Sequence, residues 1–452
     1  MKNYKQQFKG KKITIMGLGL LGRGLGYTKF LAECGADLIV TDLKNKEQLK
    51  ASVEAIKNYE LRIKNKNSKK IKFVLGEHRL EDFKGRDMII KAAGVPLDSP
   101  FIKEAKKNGI PIEMDVSLFI KSSPGIKVIG VTGTRGKSMT TALIYHILKD
   151  NIKNHNVYLG GNMRGVATLP LLKKIKEDDI LVCELDSWQL QGFGDSKISP
   201  NISVFTSFMP DHMNYYKDSM KDYFSDKANI FKYQKEDDIL IVRPGMKKFV
   251  KKTDTKGKLI VANYKDVESW RFNVLGSHQR ENLACAVEVA KQLNIPVSKI
   301  KKSVASFKGL EGRTQLLRVY REIKIYNDNN ATTPQATIAG LEALKSNRKN
   351  IILICGGADK KLDLIDLVKN VNKYCKFVSL IPGTGTEVLI NNYKLKINNE
   401  AGKDLKDVVL KAIKHAEKGD TILFSPAFAS FGMFNNEYER NDEFIKIIKK
   451  LK

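Results

Sequence analysis

Two short glycine loops carry most of the recognisable chemistry in this chain. The first, Gly17-Leu18-Gly19-Leu20-Leu21-Gly22, follows the strand-like KKITIM and opens a helical stretch; Asp42 stands twenty residues after Gly22, at the end of ADLIVTD. This is the spacing of a dinucleotide loop, in which backbone N–H groups and a helix N-terminus hold a pyrophosphate and a carboxylate takes the ribose. The second loop lies in VIGVTGTRGKSMTT, residues 128–141. The common phosphate-binding pattern needs a glycine at position 131, and Val131 stands there. The remainder, Gly133-Thr134-Arg135-Gly136-Lys137-Ser138, keeps the working parts: Lys137 as a point charge for transferring phosphates, Ser138 as a hydroxyl for Mg²⁺, and the amides of a following helix. Two loops after two strands imply two phosphate-bearing ligands. An enzyme joining ATP to a second nucleotide-like substrate fits that pair better than a nicotinamide dehydrogenase, which needs only the first loop. The dehydrogenase and a plain glycine turn stay open as alternatives.

A phosphoryl-transfer site also needs hard oxygen ligands for Mg²⁺ near the loop. Glu184 ends ILVCEL, and Asp211 and His212 follow NISVFTSF, so all three are candidates at the carboxyl ends of neighbouring strands. A lone loop histidine more often meets only water. The position of His212 after a buried-looking strand is what favours a role.

These residues have to be positioned by alternating strands and helices. Strands are expected at KKITIMG, ADLIVTD, IKFVLG, DMIIKAAG and IPIEMD, then IKVIGVTG, DDILVCEL and NISVFTSF, and finally KIYNDN, NIILICGG, KFVSLI and DTILFSP. Helices are expected at GRGLGYTKFLAECG, SMTTALIYHILKD, LACAVEVAKQL, ATIAGLEALK and LKDVVLKAIKHA. The pattern predicts an α/β protein with parallel, doubly wound sheets in three domains, 1–115, 116–309 and 310–452.

The five cysteines are scattered without a Cys-x-x-Cys pair, which argues against disulfides and zinc and for a reducing cytoplasm. No membrane span or secretory leader is expected. The net charge of +29 comes with lysines spread through every segment and no aromatic-basic repeat, so a lysine-rich solvated surface is expected, with no nucleic-acid or membrane partner.

Six motifs in order then carry a resemblance. GTRGKS, ELDSWQLQ, DHMNYY with Lys227 fifteen residues after His212, NDNNAT, CGGADKK and SPAFASFGMFNNEYERN resemble, in order and spacing, the Mur ligases. The resemblance runs over nearly the whole chain, and the loop lacking its first glycine is what that family looks like. It implies an N-terminal Rossmann-like domain that binds UDP instead of a nicotinamide cofactor, a central P-loop-type ATPase domain with a parallel-sheet core, and a C-terminal Rossmann-like α/β domain for the amino acid.

The activity implied is an ATP- and Mg²⁺-dependent amide ligation of D-glutamate to UDP-N-acetylmuramoyl-L-alanine by a cytoplasmic monomer. On the UDP substrate the resemblance places Gly17, Leu18, Gly19, Leu20, Leu21, Asp42, Gly94 and Asn162. On ATP it places Gly133, Thr134, Arg135, Gly136, Lys137, Ser138, His278, Asn282, Arg313 and Asp328, and on the amino acid Thr332, Lys360, Ser430 and Phe431. Lys137, Glu184, His212 and Lys227 are the implied catalytic residues; Ser138, Glu184, His212 and a carbamylated Lys227 are the implied metal ligands.

Several positions depart from the family pattern. Ala92 stands for a Ser or Asn, Asp186 for a Ser, Gln279 for an Asn, Gly312 for a His, Asn330 for a Lys, Gly432 for an Asp, and Glu437 for an aromatic residue. A carboxylate at Glu437 would repel a dicarboxylate unless it points away or pairs with Arg440. A Mur ligase for a different amino acid, or a non-catalytic relative, therefore stays open.

Overall fold

The computed structural model describes residues 4–20, 22–63, 71–163, 165–251, 253 and 255–451. Three sheets follow one another along the chain. The first is built from β1 (Lys12–Met16), β2 (Asp37–Asp42), β3 (Lys72–Leu75), β4 (Met88–Lys91) and β5 (Ile112–Glu113), all parallel, in the order β3-β2-β1-β4-β5. The second contains β6 (Lys127–Thr132), β7 (Val157–Gly161), β8 (Ile180–Glu184), β9 (Ile202–Phe205), β10 (Ile239–Val242) and β11 (Lys258–Val261). It too is parallel, in the order β11-β10-β9-β6-β8-β7. The third contains β12 (Gln315–Tyr320), β13 (Ile323–Asn327), β14 (Ile351–Gly356), β15 (Cys375–Ile381), β16 (Asn398–Ala401) and β17 (Thr421–Phe424). Its order is β12-β13-β17-β14-β15-β16, parallel except for the hairpin pairing of β12 with β13.

Buried parallel strands have to be apolar on both faces, and the central strands are. ILVCE of β8 and IILICG of β14 are buried at every residue, whereas NNEA of the edge strand β16 is exposed throughout. In β14 the side-chain period of two divides the core: Ile351, Leu353 and Cys355 pack with one cluster, Ile352 and Ile354 with another.

The chain forms two compact units, residues 1–269 with 281–303 and residues 270–280 with 304–452. The helix Ser277–Gln292 is divided between them. Within the first unit the first two sheets share one hydrophobic core, running from Leu31 and Val40 to Leu118, Phe193 and Phe231. Asp115 ties them further, its two carboxylate oxygens accepting from the N–H of Thr168 at 2.7 Å and of Leu169 at 2.8 Å.

In the second unit Asp328, just past β13, is buried. One carboxylate oxygen accepts from the Thr314 N–H (2.9 Å) and hydroxyl (3.1 Å), the other from the Ser425 hydroxyl (2.9 Å). Burial outweighs these bonds and the nearby Arg313, and pushes the carboxyl up from 3.8 to about 6. Between those two values the folded protein holds this proton more tightly than the unfolded chain does. The contribution to stability is therefore full below pH 3.8 and is lost as pH rises through 6. An Asp328→Asn variant lacks the titration. Urea denaturation from pH 4 to 7 should show wild type losing ground to Asp328→Asn as pH rises to about 6, with a constant gap above it.

Candidate functional site

The second glycine loop sits at the carboxyl end of β6, the strand between β8 and β9. Gly136, with φ of 91°, is the left-handed residue that turns the chain into the helix Lys137–Asn151. The end of β9 grips the loop. The Ser207 carbonyl accepts from the Thr134 N–H (2.8 Å), the Ser207 hydroxyl accepts from the Arg135 N–H (2.8 Å), and the Thr206 hydroxyl donates to the Arg135 carbonyl (2.6 Å). On the other side Asn282, which is buried, lies against Gly136, accepts from the Thr140 hydroxyl at 3.1 Å, and bonds to Arg243. Asn282 thus braces the loop. Arg243, which also pairs with Glu281 at 2.7 Å, is a site residue that the glycine pattern did not reveal. Arg135 presents an exposed side chain while its backbone is held.

Two ammonium groups meet on the Gly133 carbonyl. Lys137 Nζ donates to it at 2.9 Å and to the Thr134 carbonyl at 3.1 Å; Lys227 Nζ donates to it at 3.0 Å. The two nitrogens are therefore within about 6 Å of each other, a range in which like charges disfavour each other's charged form. Lys227 is 1% exposed and stands over the Tyr223 ring at 4.8 Å. Burial first, and Lys137 second, bring its amine down to about 7. A surface lysine would keep its ordinary value, so this position is not an incidental one on a solvated helix face.

His212 stands beside them in a left-handed backbone conformation, φ 57°. Burial lowers its pKa, opposed by Asp211, while Lys137 and Lys227 push in the same direction as burial. Glu184, buried, ends β8 opposite Val131 of β6, and its carbonyl accepts from the Asn162 N–H at 2.7 Å. Ser138 is in the first turn of the loop's helix.

Among the described residues no three His, Cys, Asp or Glu side chains gather as a metal cage. A Mg²⁺ ion keeps several waters and takes one or two protein oxygens together with substrate phosphates. Ser138 and Glu184 fit such an ion. Lys227 fits as a ligand only when its amine is converted to an anionic oxygen donor.

The first loop is in the same unit. Gly17 has φ of 97°, and a Cβ there would come within 2.7 Å of the Ala92 side chain. Leu18 is buried in the core, so only its backbone faces the loop, while Leu20 is exposed and Leu21 lies outside the described residues. Asp42 differs from the expectation of a carboxylate open to a ribose. Its oxygens accept from the Gly19 N–H and the Lys44 N–H, both at 2.9 Å, so it first fixes the loop and offers a ligand only its remaining lone pairs. Gly94 is exposed, on a turn whose Val95 carbonyl accepts from buried Lys91 Nζ at 3.0 Å.

In the second unit three loops at the carboxyl ends of β13, β14 and β17 are bonded together. Ala427 N–H donates to the Ala331 carbonyl (2.8 Å), and Ala358 and Ala429 exchange N–H to carbonyl bonds of 3.0 and 3.1 Å. This brings Lys360 within 3.1 Å of the Thr332 hydroxyl and places buried Ser430 and exposed Phe431 on the third loop. Arg440, wholly buried, holds the set: it donates to the Asn329 side chain (2.9 Å) and carbonyl (3.1 Å) and to the Phe428 carbonyl (3.4 Å). Burial lowers its guanidinium to about 10, with Glu437 opposing that shift. Arg313 acts on Asp328 through its charge. His278 is in the first turn of the helix Ser277–Gln292, its ring against Gly276.

Comparison with known proteins adds an independent line. Residues 11–113 match the Mur ligase MurD-like N-terminal domain, 131–260 the Mur ligase middle domain, and 312–428 the Mur ligase glutamate ligase domain. The chain is 33% identical to the UDP-N-acetylmuramoylalanine--D-glutamate ligase of Borreliella burgdorferi (strain ZS7), over 98% of this chain and 99% of that one. It is 32% identical to the enzyme of the same name from Roseiflexus sp. (strain RS-1), again over 98% and 99%. In fold it resembles the UDP-N-acetylmuramate-alanine ligase of Thermotoga maritima, with a TM-score of 0.62 at 20% identity over 98% of this chain and 100% of that one. It also resembles the MurF ligase of Thermotoga maritima solved in complex with ADP, with a TM-score of 0.61 at 16% identity over 100% and 99%. A third of the residues identical over nearly the full length of such relatives, with three successive domain matches, makes the chain a member of the Mur ligase family.

Proposed function

We propose that this protein is the ATP-dependent ligase that joins D-glutamate to UDP-N-acetylmuramoyl-L-alanine, in three domains: 1–115 for the UDP substrate, 116–309 for ATP and 310–452 for the amino acid. The observation that carries the reading is the pair of lysine ammoniums on the Gly133 carbonyl, at the mouth of the Gly-Thr-x-Gly-Lys-Ser loop and beside Glu184. When both are protonated, two positive charges no more than about 6 Å apart repel by at least about 3 kcal/mol at an effective dielectric of ~20. A polyphosphate laid along the loop relieves that repulsion, and no dehydrogenase step uses it.

A carboxylate is a poor electrophile, so it has to be activated before an amine can add. The acceptor's alanyl carboxylate oxygen attacks the γ-phosphorus of ATP; the bond from that phosphorus to the β,γ-bridging oxygen breaks, and ADP departs. Lys137 and the loop amides stabilise the charge that builds on the γ-phosphoryl oxygens. The D-glutamate amine then adds to the acyl-phosphate carbonyl carbon, loses a proton, and the tetrahedral intermediate collapses to the amide with release of phosphate. Mg²⁺ held by Ser138 and Glu184, and a second ion by His212 and carbamylated Lys227, would supply further neutralisation of phosphate charge. Thr332, Lys360, Ser430 and Phe431 would take the incoming amino acid, with Lys360 facing a carboxylate. Gly17 to Leu21, Asp42, Gly94 and Asn162 would hold the UDP substrate; His278, Asn282, Arg313 and Asp328 would serve ATP. The working form is a cytoplasmic monomer without nucleic-acid or membrane partners; among the described residues no helix is long and apolar enough to cross a membrane.

A phosphate-release assay with UDP-N-acetylmuramoyl-L-alanine and a panel of D- and L-amino acids tests the substrate assignment. Release is expected with D-glutamate, and release with L-lysine or D-alanine but not D-glutamate would overturn it. Lys137→Ala should lower the turnover by about 10²–10³-fold, as removal of a transition-state charge does; full activity in that variant would sink the ATP assignment. With its amine brought to about 7, Lys227 is about half neutral at pH 7 and able to add to carbon dioxide. Protein equilibrated with ¹³C-bicarbonate should show one carbamate carbonyl resonance that Lys227→Ala abolishes, and an identical spectrum from both proteins would remove the carbamate.

A further inference from the structure

Trp188 lies in the first turn of the helix Ser187–Ser196, two residues past Asp186, whose carboxylate caps that helix. Its ring centre is 4.7 Å from that of His212 and 5.4 Å from that of Tyr215. The support behind it is polar and fully paired. The Tyr215 hydroxyl accepts from Gln191 Nε2 at 3.1 Å; the same amide nitrogen donates to Asp226 at 2.8 Å, and the Tyr216 hydroxyl donates to that carboxylate at 3.0 Å. Gln191 Oε1 accepts from buried Lys91 Nζ at 3.4 Å. The indole Nε1–H in front of this network is itself buried, yet it has no acceptor among the described residues.

An indole nitrogen is a donor only. Leaving such a donor buried and unpaired is unfavourable, and a bound acceptor would recover that loss. Its position says which ligand that is. The ATP loop, after β6, is served by the Lys137 and Lys227 amines, and Trp188 follows the neighbouring strand β8. Lys91, at the far end of the supporting network, donates to the Val95 carbonyl and so shapes the turn that carries Gly94. The indole therefore belongs to the chain of contacts that joins that turn to His212, along which the acceptor's muramoyl-alanine arm would run. A neutral N–H donor suits a carbonyl or carboxylate oxygen on that arm.

We propose that Trp188 is a substrate-binding residue whose indole N–H donates to an oxygen of the alanyl end of the acceptor, holding the carboxylate for phosphorylation. This rests on the ligase reading above. Because the nitrogen is covered, the acceptor has to displace its cover, and the indole's emission then reports the event.

The chain has two tryptophans, so Trp270→Phe leaves Trp188 as its sole indole. In that variant UDP-N-acetylmuramoyl-L-alanine alone, without ATP, should change the emission, and Trp188→Phe, which keeps Trp270, should show no change. Trp188→Phe retains a ring against His212 and Tyr215 but not the donor. Its KM for the acceptor should rise about five- to tenfold, the worth of one hydrogen bond, while its KM for ATP stays within about twofold. A merely structural role would move both constants or neither. An acceptor KM equal to wild type in Trp188→Phe, or an emission in Trp270→Phe indifferent to saturating acceptor, would overturn the assignment while wild type remains an active ligase. Wild type that releases no phosphate with acceptor and D-glutamate would overturn the ligase reading itself, and this assignment with it.

Discussion

The carbonyl of Gly133 accepts from two lysines at once, and the arrangement of the first unit follows from keeping it that way. A carbonyl offers two lone pairs, so geometry permits both hydrogen bonds; electrostatics opposes them whenever both donors are protonated. Lys227 is the one that yields. It is shut in under Tyr223, away from water that would stabilise its charge, whereas Lys137 reaches the loop from the helix that starts at Gly136. The loop in turn cannot relax away from them. Thr206 and Ser207 hold it from β9, and Asn282 backs it at Gly136. A rigid cradle carrying excess positive charge is what preorganised phosphate binding requires, since little reorganisation is left to do when the anion arrives.

The same trade recurs in the second unit with different signs. Asp328 is a buried carboxylate held up to about 6 although three hydrogen bonds support its anion, and Arg440 is a buried guanidinium bonded to neutral carbonyls. Burial of a charge is unfavourable and persists where surrounding structure fixes it. Here both charges fasten the loops that carry Thr332, Lys360 and Ser430. Glu437, which the sequence marks as a departure beside an expected dicarboxylate site, acts on Arg440 through its charge, and its backbone carbonyl accepts from Asn329.

Much of this was legible in the sequence because burial writes itself into composition. The twelve strands expected from apolar runs are all present, and the helices after Gly22 and Gly136 start where the loops end. Of the strands outside those twelve, β7, β11, β12 and β16 are sheet edges, whereas β10, the buried apolar run ILIV paired on both sides, is as plain in the sequence as the expected ones. NNEA of β16 is exposed along its length and has no apolar alternation, and β12 pairs antiparallel with two exposed apolar residues, Leu316 and Val319. Such strands are defined by their neighbour's hydrogen bonds, which a single chain segment does not announce. The placement of Lys137 and Ser138 at a loop, and of Glu184 and His212 at or past the ends of core strands, follows from spacing because each comes after a glycine or on or past a strand-like run. Lys227 could not: DYFSDKAN reads as a solvated helix face, and only tertiary burial distinguishes its lysine.

Arg243, Gln191 and Trp188 were silent for a related reason. Trp188 and Gln191 stand inside ELDSWQLQ without a task attached to either, Arg243 stands in no motif, and each matters through a partner distant in sequence: Asn282 and Glu281 for Arg243, Lys91 and Asp226 for Gln191, His212 for Trp188. The glycine loops themselves describe where phosphates go, and they do so for many chemistries. What the loops do not encode is the material around them. In the first unit that material is a chain of paired polar groups running from the turn of Gly94 through Lys91, Gln191 and Tyr215 to the Trp188 and His212 rings. A buried polar chain is stable only when its members are satisfied, so the Trp188 N–H, unpaired among the described residues, is the point of this chain that a second molecule would complete.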